Sequence, residues 1–217
     1  MTAVLAVFLK APRPGTVKTR LVPALGEAGA ARLYRALAEV VVAATRPRAG
    51  EYDRLLFFAP AEARAEMEAW LPGEIWIAQE GTDLGARMSA AFAEAFRRGA
   101  GRVVLVGSDV PALSRGDVLT ALASLPEHDV VLGPAADGGY YLVGLRRPIP
   151  VLFTGMAWST AGVFAATMER AAGLGLSVEV LPERRDVDTV QDLRAEWPRL
   201  RPHLDPALAA ELEAWLA

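Results

Sequence analysis

Apolar positions along the chain fall into two alternating patterns. Short, nearly unbroken runs at 4–9, 55–58, 75–78, 103–106, 130–132, 140–145 and 176–181 have the length and composition of strands, most of them buried on both faces. Between them, segments 27–44, 61–70, 84–98, 114–125 and 160–172 repeat apolar residues at helical spacing. The alternation predicts an α/β fold with a mostly parallel central sheet covered by helices. Segment 133–155 departs from it: Gly138-Gly139 leads into a strand and 148–153 reads as extended, which predicts an antiparallel edge or an insertion.

Helix punctuation agrees with these boundaries. Ser114 with Asp117 has the spacing of a capping box, and Asp205 before Pro206 reads as an N-cap followed by proline in the first turn. Leu208, Leu212, Trp215 and Leu216 form a stripe on a final helix; its ordinary reading is packing on its own domain, and a homo-oligomer built on it is the other. No repeat or low-complexity linker interrupts the chain, so residues 1–217 are expected to form one domain with a helical tail from about residue 189.

Composition narrows the chemistry. Of 217 residues, 53% are hydrophobic and 23% charged, enough for a sizeable core. Cysteine is absent and only His128 and His203 occur, which excludes thiolate and multi-histidine metal sites. A metal would be held by carboxylate oxygens, favouring Mg²⁺ or Mn²⁺. The net charge of −3 argues against a broad nucleic-acid footprint. The apolar run 3–9 is too short for a membrane span and has no basic segment before it, so a cytoplasmic protein without a membrane partner is expected.

In an open parallel sheet, ligands gather beyond the carboxyl ends of the strands. The first segment so placed, 10–21, combines two prolines and Gly15 with Lys10, Arg13, Lys18 and Arg20, and includes Thr19. Backbone N–H groups and cations there suit a di- or triphosphate, although the pattern is not a Walker loop; the alternative is a solvated basic loop. The second, 103–113, delivers Ser108 and Asp109 into a turn closed by Pro111, where Asp109 is either a metal ligand or part of an Asx-turn. In the third, 184–193, an extended chain would point Asp186 and Asp188 the same way, while Asp188 or Thr189 caps the next helix with Gln191 or Asp192 reaching back. Gly85, within 81–88, is a candidate for close approach to a base or ribose. Asp137, Gly138, Tyr140, Trp158 and Ser159 are candidate acceptor contacts, with turn formation and packing as the competing readings. Ser108 lacks a nucleophile elbow, so a serine hydrolase has little support.

Taken in order, K-A-P-x-P-G-x-x-K-T-R-L, G-S-D-x-P-x-L, G-P-A-x-D-G-G-Y-Y-L-x-G-L, W-S-T and D-V-D-T-x-x-D-L resemble a glycosyltransferase-like family of the nucleotide-diphospho-sugar transferase superfamily, whose members are often labelled arsenosugar-biosynthesis or radical-SAM-associated. The resemblance implies a three-layer α/β/α sandwich, Rossmann-like and of GT-A type. It also implies a metal-dependent glycosyltransferase acting on a nucleotide-sugar and a small-molecule acceptor. More distantly, the same motifs are similar to molybdenum-cofactor and 2-phospho-lactate nucleotidyltransferases. That similarity carries nucleotide and Mg²⁺ handling onto Lys18, Arg20, Asp109 and Asp188, with Asp186 as an addition, and makes nucleotidyl transfer from a nucleoside triphosphate to a small phosphorylated or hydroxylated acceptor, with pyrophosphate release, the close second reading. Lys18 and Asp109 are then the expected catalytic pair. A nucleotide-binding subunit without turnover is the third reading.

Overall fold

The computed structural model describes residues 2–216. Seven strands, β1 (Thr2–Lys10), β2 (Asp53–Ala59), β3 (Trp76–Ala78), β4 (Ala100–Val106), β5 (Val130–Pro134), β6 (Tyr140–Leu145) and β7 (Val178–Val180), form one sheet in the order β3-β2-β1-β4-β6-β5-β7. Among the described residues, only β6 runs antiparallel to its neighbours, pairing Val103 with Leu145 on one side and Val130 with Leu145 on the other. The departure of 133–155 from the α/β alternation is this antiparallel insertion.

Side-chain alternation divides the core between two faces. Leu5, Val7 and Leu9 of β1, with Leu56, Phe58, Val104 and Val106, pack against α1 (Val22–Ala44), α2 (Arg64–Trp70) and α4 (Arg115–Ser124). Val4, Ala6, Leu55, Phe57, Val103 and Leu105 face α3 (Leu84–Arg97) and α5 (Val163–Gly173). The strands are buried on both faces, as parallel strands under helical layers must be. The result is the three-layer α/β/α sandwich.

Two expectations shift. Segment 148–153 is not extended: Pro150–Phe153 makes a 3₁₀ turn that buries Leu152 and stacks Phe153 on Phe92 at 5.7 Å between ring centroids. Helix α1 starts at Val22, but Gly26, with φ of 68°, interrupts it, so its regular part runs from residue 27. The tail divides into α6 (Val190–Leu200) and α7 (Pro206–Leu216), joined by a short turn. Leu193, Leu200, Leu208 and Leu212 cover Leu33 and Leu37 on the outer side of α1, so the final helix packs within its own chain. Both predicted caps form: Ser114–Asp117 is a reciprocal capping box, and the Asp205 side chain accepts from Ala207 and Leu208 N–H at 3.0 Å. Among the described residues, no helix is long and apolar enough to cross a membrane.

Candidate active site

Strand order reverses between β1 and β4, and the principal cleft opens there. A cavity of about 500 Å³ is lined by Lys10, Lys18, Tyr34, Gln79, Asp83, Arg87, Ser108, Asp109 and Asp188, among others. Its floor is built by hydrogen bonds between the strand ends. The Tyr34 hydroxyl, brought in by α1, accepts from the Lys10 N–H at 2.7 Å and pairs with Ser108 Oγ at 3.0 Å. Burial, opposed by the Ser108 hydrogen bond, pushes the Tyr34 phenol up from its ordinary pKa, so it stays a neutral strut. Gln79 donates to the carbonyls of Leu9 and Phe57 at 3.2 and 3.0 Å, fixing the lip between β1 and β2.

At the far wall Lys18 adopts a left-handed backbone conformation, φ 47° and ψ 43°, which turns its side chain inward. Its ammonium donates to Asp109 Oδ2 at 2.8 Å and Asp188 Oδ1 at 2.6 Å, and the side chain is only 4% exposed. Burial disfavours this charge, but Asp109 and Asp188 outweigh burial and raise the Lys18 pKa. Burial likewise works against the Asp109 carboxylate, and Lys18 outweighs it to hold Asp109 below the usual carboxylate range. The loop after β7 is tied to the loop after β4 by a Val187 N–H to Asp109 carbonyl bond of 3.0 Å.

Asp186 joins the group from the same extended segment. One carboxylate oxygen from each of Asp109, Asp186 and Asp188 lies within 4.8 Å of the others. Burial, with the nearby charges of Asp109, Asp137 and Asp188, pushes the Asp186 pKa up to about 6. Three hard oxygen donors, whose combined charge Lys18 offsets only in part, fit a divalent cation of the Mg²⁺ or Mn²⁺ type.

Beyond these aspartates a second cavity of about 260 Å³ shares Leu84, Gly107, Asp109, Ser159 and Asp188 with the first and continues to Asp137, Tyr140, Trp158 and Asp186. Two loops interlock to make it. Gly138, at φ 88°, sits so close to Ala161 that a Cβ would run into the Ala161 carbonyl, and its own carbonyl accepts from Phe164 N–H at 2.9 Å. Asp137 Oδ1 accepts from Gly139 N–H at 2.8 Å, closing the turn. Trp158 meets Tyr140 edge to face at 6.4 Å.

The predicted residues therefore separate by place. Lys10, Lys18 and Ser108 line the first cavity; Asp137, Tyr140, Trp158 and Asp186 line the second, with Asp109, Ser159 and Asp188 in both. Gly138 shapes the second from behind. Arg13 turns away to Glu66 at 2.9 Å and Glu62 at 3.6 Å. Arg20 is 65% exposed and reaches Asp188 only at 3.9 Å. Thr19 and Gly15 are exposed, Gly15 in a turn at φ 76° beside Glu27. Gly85 is buried where a Cβ would strike the Phe153 carbonyl and the Trp158 ring, so its small size lets α3 pack against the 153–158 loop. Tyr34, Gln79 and Arg87 escaped the sequence reading. Tyr34 sits at a core position of α1 and Gln79 follows an edge strand; a polar tip on an otherwise apolar face was the only available signal.

Comparison with known proteins follows the architecture. The chain is 28% identical over 192 residues to phosphoenolpyruvate guanylyltransferase of Chloroflexus aggregans, covering 85% of this chain and 93% of that one. A crystal structure from Desulfovibrio desulfuricans G20, named as a candidate nucleotide-diphospho-sugar transferase, is 36% identical with a TM-score of 0.89, covering 100% of this chain and 97% of the other. The manganese complex of Rv0371c from Mycobacterium tuberculosis H37Rv shares the fold, with 18% identity, a TM-score of 0.54 and coverage of 90% and 97%. Residues 41–160 match the model of a family described as uncharacterized proteins conserved in bacteria, DUF2064, and the chain belongs to that family.

Proposed function

We propose that the chain is a divalent-metal-dependent nucleotidyltransferase, moving a nucleoside monophosphate from a nucleoside triphosphate to a small hydroxylated acceptor. The observation that carries this reading is the meeting, at one sheet edge, of a cavity holding Lys10, Lys18 and Arg87 with the cluster of Asp109, Asp186 and Asp188. The guanylyltransferase name of the Chloroflexus relative supports it. In this reading the larger cavity takes the triphosphate donor and the smaller one the acceptor. Asp109, Asp186 and Asp188 would hold the cation, which supplies charge neutralisation on the phosphate oxygens.

The chain's own residues do the rest by placement. Lys10 and Arg87 face the donor's negative charge, and Lys18 keeps Asp109 ionised and holds both Asp109 and Asp188 in position. An acceptor hydroxyl oxygen bonds to the α-phosphorus as the bond to the β-phosphate oxygen breaks. Pyrophosphate leaves with that electron pair, and the hydroxyl proton passes to solvent. We place the reaction in the cytoplasm, where triphosphates are supplied, within one domain.

Glycosyl transfer, placed first by the motif resemblance, is the second reading, favoured by the name of the Desulfovibrio relative. The narrower arsenosugar or radical-SAM association rests on the motifs alone and concerns the acceptor. Incubation with Mg²⁺ or Mn²⁺ and panels of nucleoside triphosphates, nucleotide-sugars and acceptors separates the readings. Pyrophosphate release is expected; release of a nucleoside diphosphate from a nucleotide-sugar would replace the proposal with glycosyl transfer. Nucleotide binding that needs no metal and leads to no product would indicate a binding subunit.

A further inference from the structure

We infer that the acceptor is a hydroxylated molecule without negative charge, and that Asp137 sets this preference. The inference rests on the transfer reading for calling this ligand the acceptor, but the selectivity belongs to the cavity itself. The two cavities are opposite in charge. The first places Lys10, Lys18 and Arg87 around its ligand. The second is walled by Asp109, Asp137, Asp186 and Asp188, and among the described residues no lysine or arginine lines it. The cations around it are already engaged: Lys18 holds Asp109 and Asp188, Arg20 lies against Asp188, and Arg184, behind the lining residue Tyr141, pairs with Asp117 at 2.8 Å. One divalent ion on the aspartate cluster together with Lys18 and Arg20 would bring the four carboxylates only to neutrality and leave no positive charge over for a ligand. A phosphorylated or carboxylated acceptor would find no compensating group there, and like charges at this range are strongly unfavourable.

The remaining walls suit the opposite chemistry. Tyr140 and Trp158 offer aromatic surface to C–H faces or to a cation, while Ser159, Thr160 and the Asp137 carboxylate offer hydrogen-bond partners to hydroxyls. Asp137 is the wall carboxylate that stands outside the Asp109, Asp186 and Asp188 cluster; its Oδ1 closes the turn at Gly139, which leaves Oδ2 to read the ligand. The kinship with a phosphoenolpyruvate guanylyltransferase therefore does not extend, in this inference, to an anionic acceptor.

Ligand-observed NMR tests this directly, on the full chain with Mg²⁺, with and without a non-hydrolysable nucleoside triphosphate. The probes are glycerol, glucose and ethanolamine against glycerol 3-phosphate, glucose 6-phosphate and phosphoenolpyruvate. The wild type is expected to bind members of the first set at least tenfold more tightly than the second. Asp137→Lys should weaken the first set at least tenfold and bring in the phosphorylated probes; Asp137→Asn, with the turn retained, should weaken the first set without admitting the second. Phosphorylated probes binding the wild type as well as the neutral ones would overturn the inference, as would unchanged selectivity in Asp137→Lys or no binding of any probe. Thermal stabilisation by triphosphates is read in parallel: its loss with the selectivity intact would overturn the donor assignment and leave the charge preference standing.

Discussion

The two sides of the cleft rise from one sheet edge yet are built differently. The side proposed for the donor stands on parallel strands, with Lys10 ending β1 and Ser108 and Asp109 following β4, locked together through Tyr34. The side proposed for the acceptor stands on the antiparallel excursion β5–β6 and on a loop held at Gly138 and Trp158. The first gathers cations and the second carboxylates, and both share Asp109 and Asp188. Parallel strands supply fixed backbone ends on which a charged ligand can be oriented, whereas the inserted loops shape a partner pocket that can vary without disturbing that edge. Lys18 is where the two meet.

The harshest test of this division removes a residue both sides use. Asp109→Asn should lower metal-dependent turnover by about 10²–10³-fold, the scale of losing one group that neutralises transition-state charge. The far-ultraviolet circular dichroism should stay unchanged, because the β4 turn is held by backbone bonds that the amide does not break. Wild-type turnover in this variant would remove Asp109 from the mechanism.

Next in size is Lys18→Met. Removing the ammonium leaves Asp109 and Asp188 facing each other and Asp186 without a counter-charge. Breaking a fully buried pair costs about 3–5 kcal/mol, but these carboxylates keep roughly a third of their surface in water, so about 2 kcal/mol is expected in chelator. Denaturant melts should show that loss and its partial recovery on adding Mn²⁺. A melt indistinguishable from wild type would mean that Lys18 merely rests near the aspartates.

The same contrast marks what could be read from the chain. The carboxyl edge was legible because buried parallel strands announce themselves as unbroken apolar runs and the residues that follow them, Lys10 and Asp109, must lie there. The i, i+2 spacing of Asp186 and Asp188 likewise survived folding, with Thr189 and Asp192 taking the capping role. Charge alone misled for Arg13, whose side chain is drawn to Glu62 and Glu66 of a segment about fifty residues away, a partner no local pattern reveals. Tyr34 and Gln79 were hidden for the complementary reason: each occupies a position whose periodicity says core, and only the tertiary arrangement shows where the polar tip emerges. Gly85 read as an approach point for a nucleotide, whereas its hydrogen makes room for Trp158.

Gly138→Ala probes the acceptor wall alone. At φ 88°, with the Ala161 carbonyl in the way, a methyl group forces the two loops apart, at a cost of about 2 kcal/mol from backbone strain and lost packing. Triphosphate stabilisation should persist while transfer to the acceptor falls. Equal loss of both would show that the two sides are not separable.

The smallest effect is the most diagnostic of the carboxylate cluster. Asp186 titrates at about 6 in the folded chain against 3.8 for the free side chain, so the native state holds the proton more tightly than the unfolded one. Asp186 therefore favours folding most below pH 3.8; this contribution is lost as pH rises toward 6 and stays lost above it. Asp186→Asn has no such titration. In chelator it should match the wild type near pH 3.5 and gain on it as pH rises, reaching about 1 kcal/mol above pH 6, less than the full two-unit shift because solvent partly screens the site. Adding Mg²⁺ at pH 7.5 should reverse the order, since the wild type regains through binding what repulsion took away and the variant has lost a ligand. If the stability difference does not change between pH 3.5 and 7.5, the repulsion is relieved by solvent rather than waiting for a cation, and Asp186 drops out of the metal set.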